Sequence, residues 1–423
     1  MIFNQFGFLF VFLPVVFTLF CIPGLRPFRP YLLIAASLTF YGLSGVHHAL
    51  VLIADIIWVY WLTRSDRYIG NRTLLVLAIL PPFLGLFYFK YLGFVLSDVL
   101  MVANSHDSET FELFSNIILP AGISFFTFQV VSFAIDRYRG EVPETVAFKK
   151  FAVYISFFPQ LVAGPILRYR EAKPALDALT RFRPTADDLA AALGYIGIGL
   201  ALKVLLADTL GMHLENYKTA PGSAGLVAGV YVVLAYSFQI YFDFYGYSLI
   251  AIGLGRLFGF KFPDNFRQPY LAANPREFWR RWHITLSNWI RDYLYISLGG
   301  NKAYARNILL VFLIMGLWHG AGWSFIVWGA FHGLFVITYH YTRDWWDRMA
   351  PAVQIALNFF LVSLAWLFFL FDFAELSQFL SGVGDGGRLL ANLPNADQML
   401  ILAVAALEQI RFNRGHILLR QSS

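Results

Sequence analysis

Long apolar runs alternate with short polar connections along almost the whole chain. The runs fall at about residues 5–23, 31–46, 49–63, 73–97, 111–135, 189–206, 223–250, 307–341 and 351–372, with a shorter one at 398–408. None shows the period-two alternation of a membrane barrel strand. Backbone polar groups in a bilayer must be satisfied within the segment, so each long run is predicted to be a helix. Pro14 and the Pro81-Pro82 pair are predicted to kink theirs. Residues 151–167 are apolar but interrupted by Pro159, Gly164 and Pro165. That segment is predicted to be re-entrant or interfacial, which is tolerated at depth only where protein covers it. The 307–341 run is predicted to be a broken span.

The polar connections supply the orientation. Arg26 and Arg29, then Arg64, Arg67 and Arg72, then Arg137, Arg139, Lys149 and Lys150, then Arg168, Arg170, Lys173, Arg181 and Arg183 occupy alternate loops. Nine more Lys and Arg lie in 251–306. The intervening loops at 44–48 and 98–110 hold none, and 207–222 holds only Lys218. By the positive-inside rule the basic loops are cytoplasmic and the N-terminus lies outside. The acidic stretch 373–397 then falls on the outer face. No basic n-region or small-residue cleavage site marks the first twenty residues, so the first run is predicted to be a span and not a removed signal.

Composition agrees with this pattern. The chain is 58% hydrophobic and 14% charged, where a soluble domain is about a quarter charged. The formal charge of +6 follows loop placement and is not a nucleic-acid footprint. A single cysteine, Cys21, excludes an internal disulfide framework and a cysteine metal cluster. The expectation is an all-α polytopic membrane protein forming one membrane domain over 1–423. It divides into N-terminal spans (1–135), a core with cytoplasmic interfacial helices (136–341) and C-terminal spans (342–423).

The longest polar segment, 251–306, carries candidate chemistry. From Pro275 to Leu298 it is helical in pattern, with Asn274 as N-cap, Pro275 at N1 and Gly299-Gly300 as the stop. Its aromatics suit headgroup depth. His283 lies on it, one turn before Ser287 and two before Arg291. Spacing alone reads His283 as an interfacial histidine satisfied by a neighbour.

His319 is different. It ends the apolar stretch "ILLVFLIMGLWHG", roughly 18 Å along a helix from Asn307. That is near the midplane of a ~30 Å hydrocarbon core. An ionisable group there faces a cavity or a partner and marks a functional site by default. The glycines Gly320 and Gly322 break the helix behind it and free backbone to line a cavity. A buried histidine bonded to a carbonyl is the bland alternative. His332 is read as packing a second "HG" bend, and His340 as lying near the exit to Arg343.

No phosphate-binding glycine loop, paired carboxylates, nucleophile elbow or metal-ligand spacing occurs. A neutral imidazole in a dry cavity suits proton removal from a hydroxyl attacking an activated acyl group, with a second donor for the developing oxyanion. Arg280, Arg281, Arg291, Arg168 and Arg170 would hold the phosphates of a coenzyme A-type donor, or simply set topology.

Five blocks in order then carry a resemblance: "LPAGISFFTFQ" (119–129), "ISFFPQLVAGPILRY" (155–169), "YFDFYGYSLIAIGLGRLFGFKFPDNFRQPY" (241–270), "FWRRWHITLSNWIRDYLYISLGGN" (278–301) and "GLWHGAGWSFIVWGAFHG" (316–333). Over roughly residues 5–372 the chain resembles the membrane-bound O-acyltransferase family, in its bacterial alginate and peptidoglycan O-acetylating branch. The resemblance implies a ring of about ten or more transmembrane and re-entrant helices around a central tunnel. It makes the "LWHG" histidine, His319, catalytic and gives the "RRWH" histidine, His283, a second functional role. Trp318, Trp282, Ser287 and Gly320 would line the tunnel. It implies acetyl-CoA as a donor substrate with no permanently bound cofactor and no metal, and a polysaccharide hydroxyl as acceptor. It further implies a periplasmic acetyltransferase partner, a setting among inner-membrane lipids, and no nucleic acid. Tyr245 and Leu249 depart from the alginate-type pattern, which carries a serine and an acidic residue there. The match fades after 372, which leaves the set of C-terminal spans open. Two alternatives stay open at this point: D-alanyl transfer from a carrier-protein thioester to teichoic acid, and a non-catalytic acyl conduit.

Overall fold

A computed structural model of the protein describes residues 3–101, 117–162 and 164–411. Most of the 98–110 loop, the start of the predicted 111–135 span and the polar tail after 411 lie outside the described residues. Among the described residues every regular element is helical. Contacts divide the chain into two compact units, Met1–Ile196 with Ile250–Pro263, and Gly197–Leu249 with Asp264–Ser423.

The first unit begins with α1 (Phe8–Cys21) and α2 (Pro23–Gly42), which meet at a bend of 102°. Pro23 has no amide hydrogen and forces Ile22 into an extended conformation, so the helix cannot continue. Arg29, predicted to be a topology-setting loop charge, is buried at this bend. Its guanidinium donates to the carbonyls of Phe20 (2.8 Å), Leu179 (3.0 Å) and Phe182 (2.6 Å). There follow α3 (Val46–Thr63), α4 (Arg72–Val99), α5 (Ile123–Tyr138), α6 (Phe148–Ser156) and α7 (Tyr169–Ala178). α4 runs helically through Pro81 and Pro82, and its irregularity comes later as π turns at Phe87–Tyr91 and Val95–Val99. Arg137 repeats the behaviour of Arg29. Buried at the end of α5, it donates to the carbonyls of Thr63, Val142 and Pro143 and pairs with Asp66 at 2.8 Å. The interrupted segment after α6 is buried, as its broken backbone requires. Tyr154 donates to the Leu167 carbonyl at 2.9 Å, and the Phe158 amide donates to Ser37 Oγ at 3.0 Å.

Two long helices, α8 (Ala186–Thr219) and α9 (Leu226–Leu257), cross the division between units. Within the second unit they pack closely: a Cβ on Gly246 would stand 2.7 Å from the Gly199 carbonyl oxygen. The unit continues with α10 (Pro275–Arg281), α11 (Ile284–Ile290), α12 (Tyr304–His319), α13 (Trp323–Trp346), α14 (Pro351–Leu370), α15 (Phe373–Gly384) and α16 (Ala396–Arg411). Among the described residues α3, α4, α8, α9 and α14 are each long and apolar enough to span a bilayer, and the α1–α2 pair, bent by 102°, is apolar enough to form a broken span or a re-entrant loop. The protein is a multi-pass helical membrane protein.

Two predictions about the second unit need correction. The 307–341 stretch is not one broken span but a hairpin. α12 stops at His319, the chain turns at Gly320-Ala321-Gly322, and α13 returns beside α12. A Cβ on Gly316 would lie 2.2 Å from the Phe325 oxygen, and one on Gly329 would lie 2.2 Å from the Phe312 oxygen. Glycine at these positions, with Gly333 against Leu309 and Phe312, lets the two backbones touch. α13 also runs without a bend at His332-Gly333. Its far end returns to the start of α10, where Trp346 Nε1 donates to the Ala273 carbonyl (2.9 Å) and His340 Nδ1 meets Arg276 (2.9 Å). Elsewhere in this unit, Arg388 and Asn392 donate to the carbonyls of Gly222 and Ser223. The 207–222 and 373–397 segments are thus in contact with one another.

Candidate active site

The helical pattern from Pro275 to Leu298 is interrupted at its most informative residue. Asn274 caps α10 as predicted, accepting from the Glu277 amide at 2.9 Å. The helix then ends at Arg281, and His283 takes a left-handed conformation, φ 45° and ψ 54°. For an L-residue this costs of order 1–2 kcal/mol and persists only where the surroundings impose it. Here they do. The Arg267 amide donates to the Arg281 carbonyl, and the Ile284 amide donates to the Asn265 carbonyl, both at 2.9 Å. The turn lifts His283 off the helix surface and buries it, 1% exposed, under Phe244.

Asn265, which the sequence did not single out, fixes the chemistry of that imidazole. Its Oδ1 accepts from the Thr285 amide (3.3 Å) and the Thr285 hydroxyl (2.9 Å), and its Nδ2 donates to Ser248 Oγ (3.2 Å). A backbone amide can only donate, so the carboxamide orientation is set. His283 Nδ1, 3.1 Å from the same Oδ1, must therefore carry the ring proton. Nε2 is left as a lone pair without a hydrogen-bond partner among the described residues. Burial, with the charge of His319 as a second cause, holds this imidazole well below the usual histidine range. His283 is thus neutral and presents an acceptor.

His319 sits at the tip of the hairpin. Its ring is packed by Trp318 (4.8 Å between centroids), Trp328 (5.2 Å) and Phe369 (5.2 Å). Trp318 is also 6.2 Å from His283, so the two histidines flank one indole. Gly320 makes room for the Phe325 ring, which a Cβ there would meet at 2.2 Å.

Beside these residues lies a cavity of about 410 Å³. Arg276, Arg280, Arg291, Asn301 and Tyr304 form its polar wall, and Val311, Phe312 and Met315 of α12 its apolar wall. Met315 is one turn before His319, roughly 6 Å along the axis, and Ile284, another wall residue, adjoins His283. Of the sequence candidates, Arg280, Arg291 and Ser287 line this cavity. Arg291 also pairs with Asp292 at 2.6 Å. Arg281 turns away to Glu277 and the Gln268 carbonyl. Trp282 packs in an aromatic cluster with Trp366, Phe266 and Phe278. Arg168 and Arg170 belong to the first unit, where the Arg168 amide donates to Glu171 (2.8 Å) and Arg170 lies 3.8 Å from Glu141. Arg276 was not foreseen. Its spacing of four from Arg280 was the available signal.

The fold and site together define a polytopic helical membrane protein with one buried histidine, His283, and one half-buried histidine, His319, beside a cavity that is cationic on one wall and apolar on the other. Comparison places it more closely. Residues 87–377 match the membrane-bound O-acyltransferase family, and the chain belongs to that family of enzymes. It is 39% identical over 388 residues to a probable alginate O-acetylase of Pseudomonas aeruginosa, covering 87% of this chain and 72% of the relative. It is 36% identical over 411 residues to a peptidoglycan O-acetyltransferase of Helicobacter pylori, covering 87% and 77%. A teichoic acid D-alanyltransferase of Bacillus subtilis is 29% identical over 274 residues, covering 60% and 69%.

Proposed function

We propose that the protein moves acetyl groups from cytoplasmic acetyl-CoA towards hydroxyls of an envelope or extracellular polysaccharide, of the alginate or peptidoglycan kind. The carrying observation is the cavity. Its arginine-rich wall suits the phosphates of the donor and its apolar wall suits the pantetheine arm, and it reaches to within a helical turn of His319. His319 removes the proton from the attacking hydroxyl. His283, with its lone pair presented on Nε2, accepts a hydrogen bond from substrate. In this tautomer it cannot donate to the thioester carbonyl, so oxyanion stabilisation falls to another group. The alternation of basic loops supports a bacterial inner-membrane setting with the N-terminus outside. In that orientation the hairpin returns Arg343 and Arg348 to the cytoplasmic side with the cavity's arginines. A periplasmic partner protein would complete delivery to the polymer. The D-alanyl reading is favoured less, since the corresponding relative is matched at lower identity over less of the chain. In the decisive experiment, a His319→Ala strain with normal protein levels loses polysaccharide O-acetyl groups by mass spectrometry. Unchanged acetyl content would overturn the assignment. Binding of a phosphopantetheinylated carrier protein with no binding of acetyl-CoA would favour D-alanyl transfer.

A further inference from the structure

One nitrogen of Arg276 holds two partners at once. Its Nη2 lies 2.9 Å from His340 Nδ1 on α13 and 3.2 Å from the Tyr304 hydroxyl at the start of α12. A guanidinium can only donate. His340 Nδ1 is therefore the lone pair, and the ring proton sits on Nε2. The Tyr304 oxygen also accepts, so its own O–H is left to donate elsewhere. The imidazole lies against the Tyr304 ring, 4.2 Å between centroids, which fixes where its lone pair points. Three helices, α10, α12 and α13, thus converge on one nitrogen.

Both partners orient Arg276 without neutralising it. Glu277, next in sequence, pairs with Arg281, and Asp344, one turn beyond His340, pairs with Arg343. Arg291, on the same cavity wall, shares its charge with Asp292. Arg29 and Arg137 have their Nε and Nη1 met by backbone carbonyls. Nε and Nη1 of Arg276 have no such partner among the described residues, and Arg276 and Tyr304 both line the cavity. An oriented guanidinium with its charge intact is a receptor for an anion, and its planar fork suits phosphate. Resting on the reading of the cavity as the donor site, we propose that His340 is a positioning residue that holds Arg276, with Tyr304, as a clamp for a phosphate group of the donor. His340 is not part of the cavity wall and acts through Arg276. The clamp favours a thioester that carries phosphate over one that ends at pantetheine.

The test uses the full-length protein in detergent and follows thiol release from two donors: acetyl-CoA, and acetyl-pantetheine, which lacks every phosphate. His340→Phe keeps a ring on Tyr304 and removes the acceptor. It should raise the KM for acetyl-CoA about tenfold with kcat unchanged, and leave kcat/KM for acetyl-pantetheine at the wild-type value. His340→Asn, whose Oδ1 can stand where Nδ1 stands, should restore the acetyl-CoA KM. A wild-type KM in His340→Phe overturns the clamp, as does a KM still raised in His340→Asn. So does an equal loss with both donors, which is what a structural role at the helix junction would give. If His340→Phe does not accumulate, Tyr304→Phe is compared on the same two donors and should show the same selective loss. The wild-type protein separates the two readings: no preference for acetyl-CoA over acetyl-pantetheine refutes the cavity as the phosphate site, whereas that preference unchanged in His340→Phe refutes the clamp alone.

Discussion

The tautomer of His283 hangs on one side chain, which makes Asn265 the sharpest point of attack. Asn265→Leu keeps the volume and the backbone carbonyl that receives the Ile284 amide. It removes one buried acceptor serving three donors, His283 Nδ1, Thr285 N and Thr285 Oγ1, and the donor to Ser248. Each buried group left unmet costs about 1–3 kcal/mol. The Thr285 hydroxyl and the imidazole can reorient, so the net loss should be about 3 kcal/mol. Losing the bond that holds the tautomer, worth about 1.4 kcal/mol, allows the proton onto Nε2 and should lower kcat at least about tenfold. Asn265→Asp separates geometry from charge. It keeps the acceptor but sets a carboxylate beside the imidazole, which favours the charged ring. The site needs the lone pair, so a ring that protonates more readily is lost at higher pH. The acid limb of the pH–rate profile should therefore move upward, with activity approaching wild type on the alkaline side. The assay is thiol release from acetyl-CoA across pH, with thermal inactivation measured on the same preparations. Wild-type kcat in Asn265→Leu, together with an unshifted profile in Asn265→Asp, would refute the tautomer argument.

The arginines on the cavity wall divide by geometry. Arg276→Ala, Arg280→Ala and Arg291→Ala should each raise the KM for acetyl-CoA about tenfold with kcat little changed, as loss of uniform donor binding requires. Arg281→Ala should leave that KM unaltered because Arg281 faces Glu277. The hairpin contact gives a structural prediction. Gly329→Ala puts a Cβ at 2.2 Å from the Phe312 carbonyl oxygen, a backbone atom that cannot swing aside. It should destabilise by at least about 2 kcal/mol, read as a lowered temperature of inactivation. Gly384→Ala, with nothing near its Cβ, is the neutral control.

The difference between what was legible in the sequence and what was not follows the range of the interactions. Apolar runs report lipid and core directly, so most spans could be placed, and the glycines after His319 marked the end of its helix. The loop arginines gave a charge pattern, but not that Arg29 and Arg137 would turn inward to satisfy helix-end and loop carbonyls. Hydrophobic period shows that a segment is apolar and not which way it runs. The hairpin was hidden for that reason, although Gly316, Gly329 and Gly333 held the clue in their spacing. The left-handed turn at His283 had no local signal at all, because the residues on both sides keep the helical pattern. It is imposed by Asn265, eighteen positions earlier, in an extended stretch without periodicity.

The hairpin also changes what the depth of His319 means. On a helix that crosses the bilayer, a midplane histidine needs a cavity opened for it on one flank. At the tip of a pair that turns back, it ends a backbone segment whose two legs start from the same side, where α10 and the arginine-lined wall also lie. The legs can touch only through glycine, so the close packing that holds the tip leaves the space beside Met315 and Phe312 to the cavity. His283 is brought to the same Trp318 ring from a different direction, by a strained turn between α10 and α11. Two elements anchored at one end of the unit thus meet at a single indole, and a donor following the cavity wall along α12 would arrive at that meeting point without crossing the membrane.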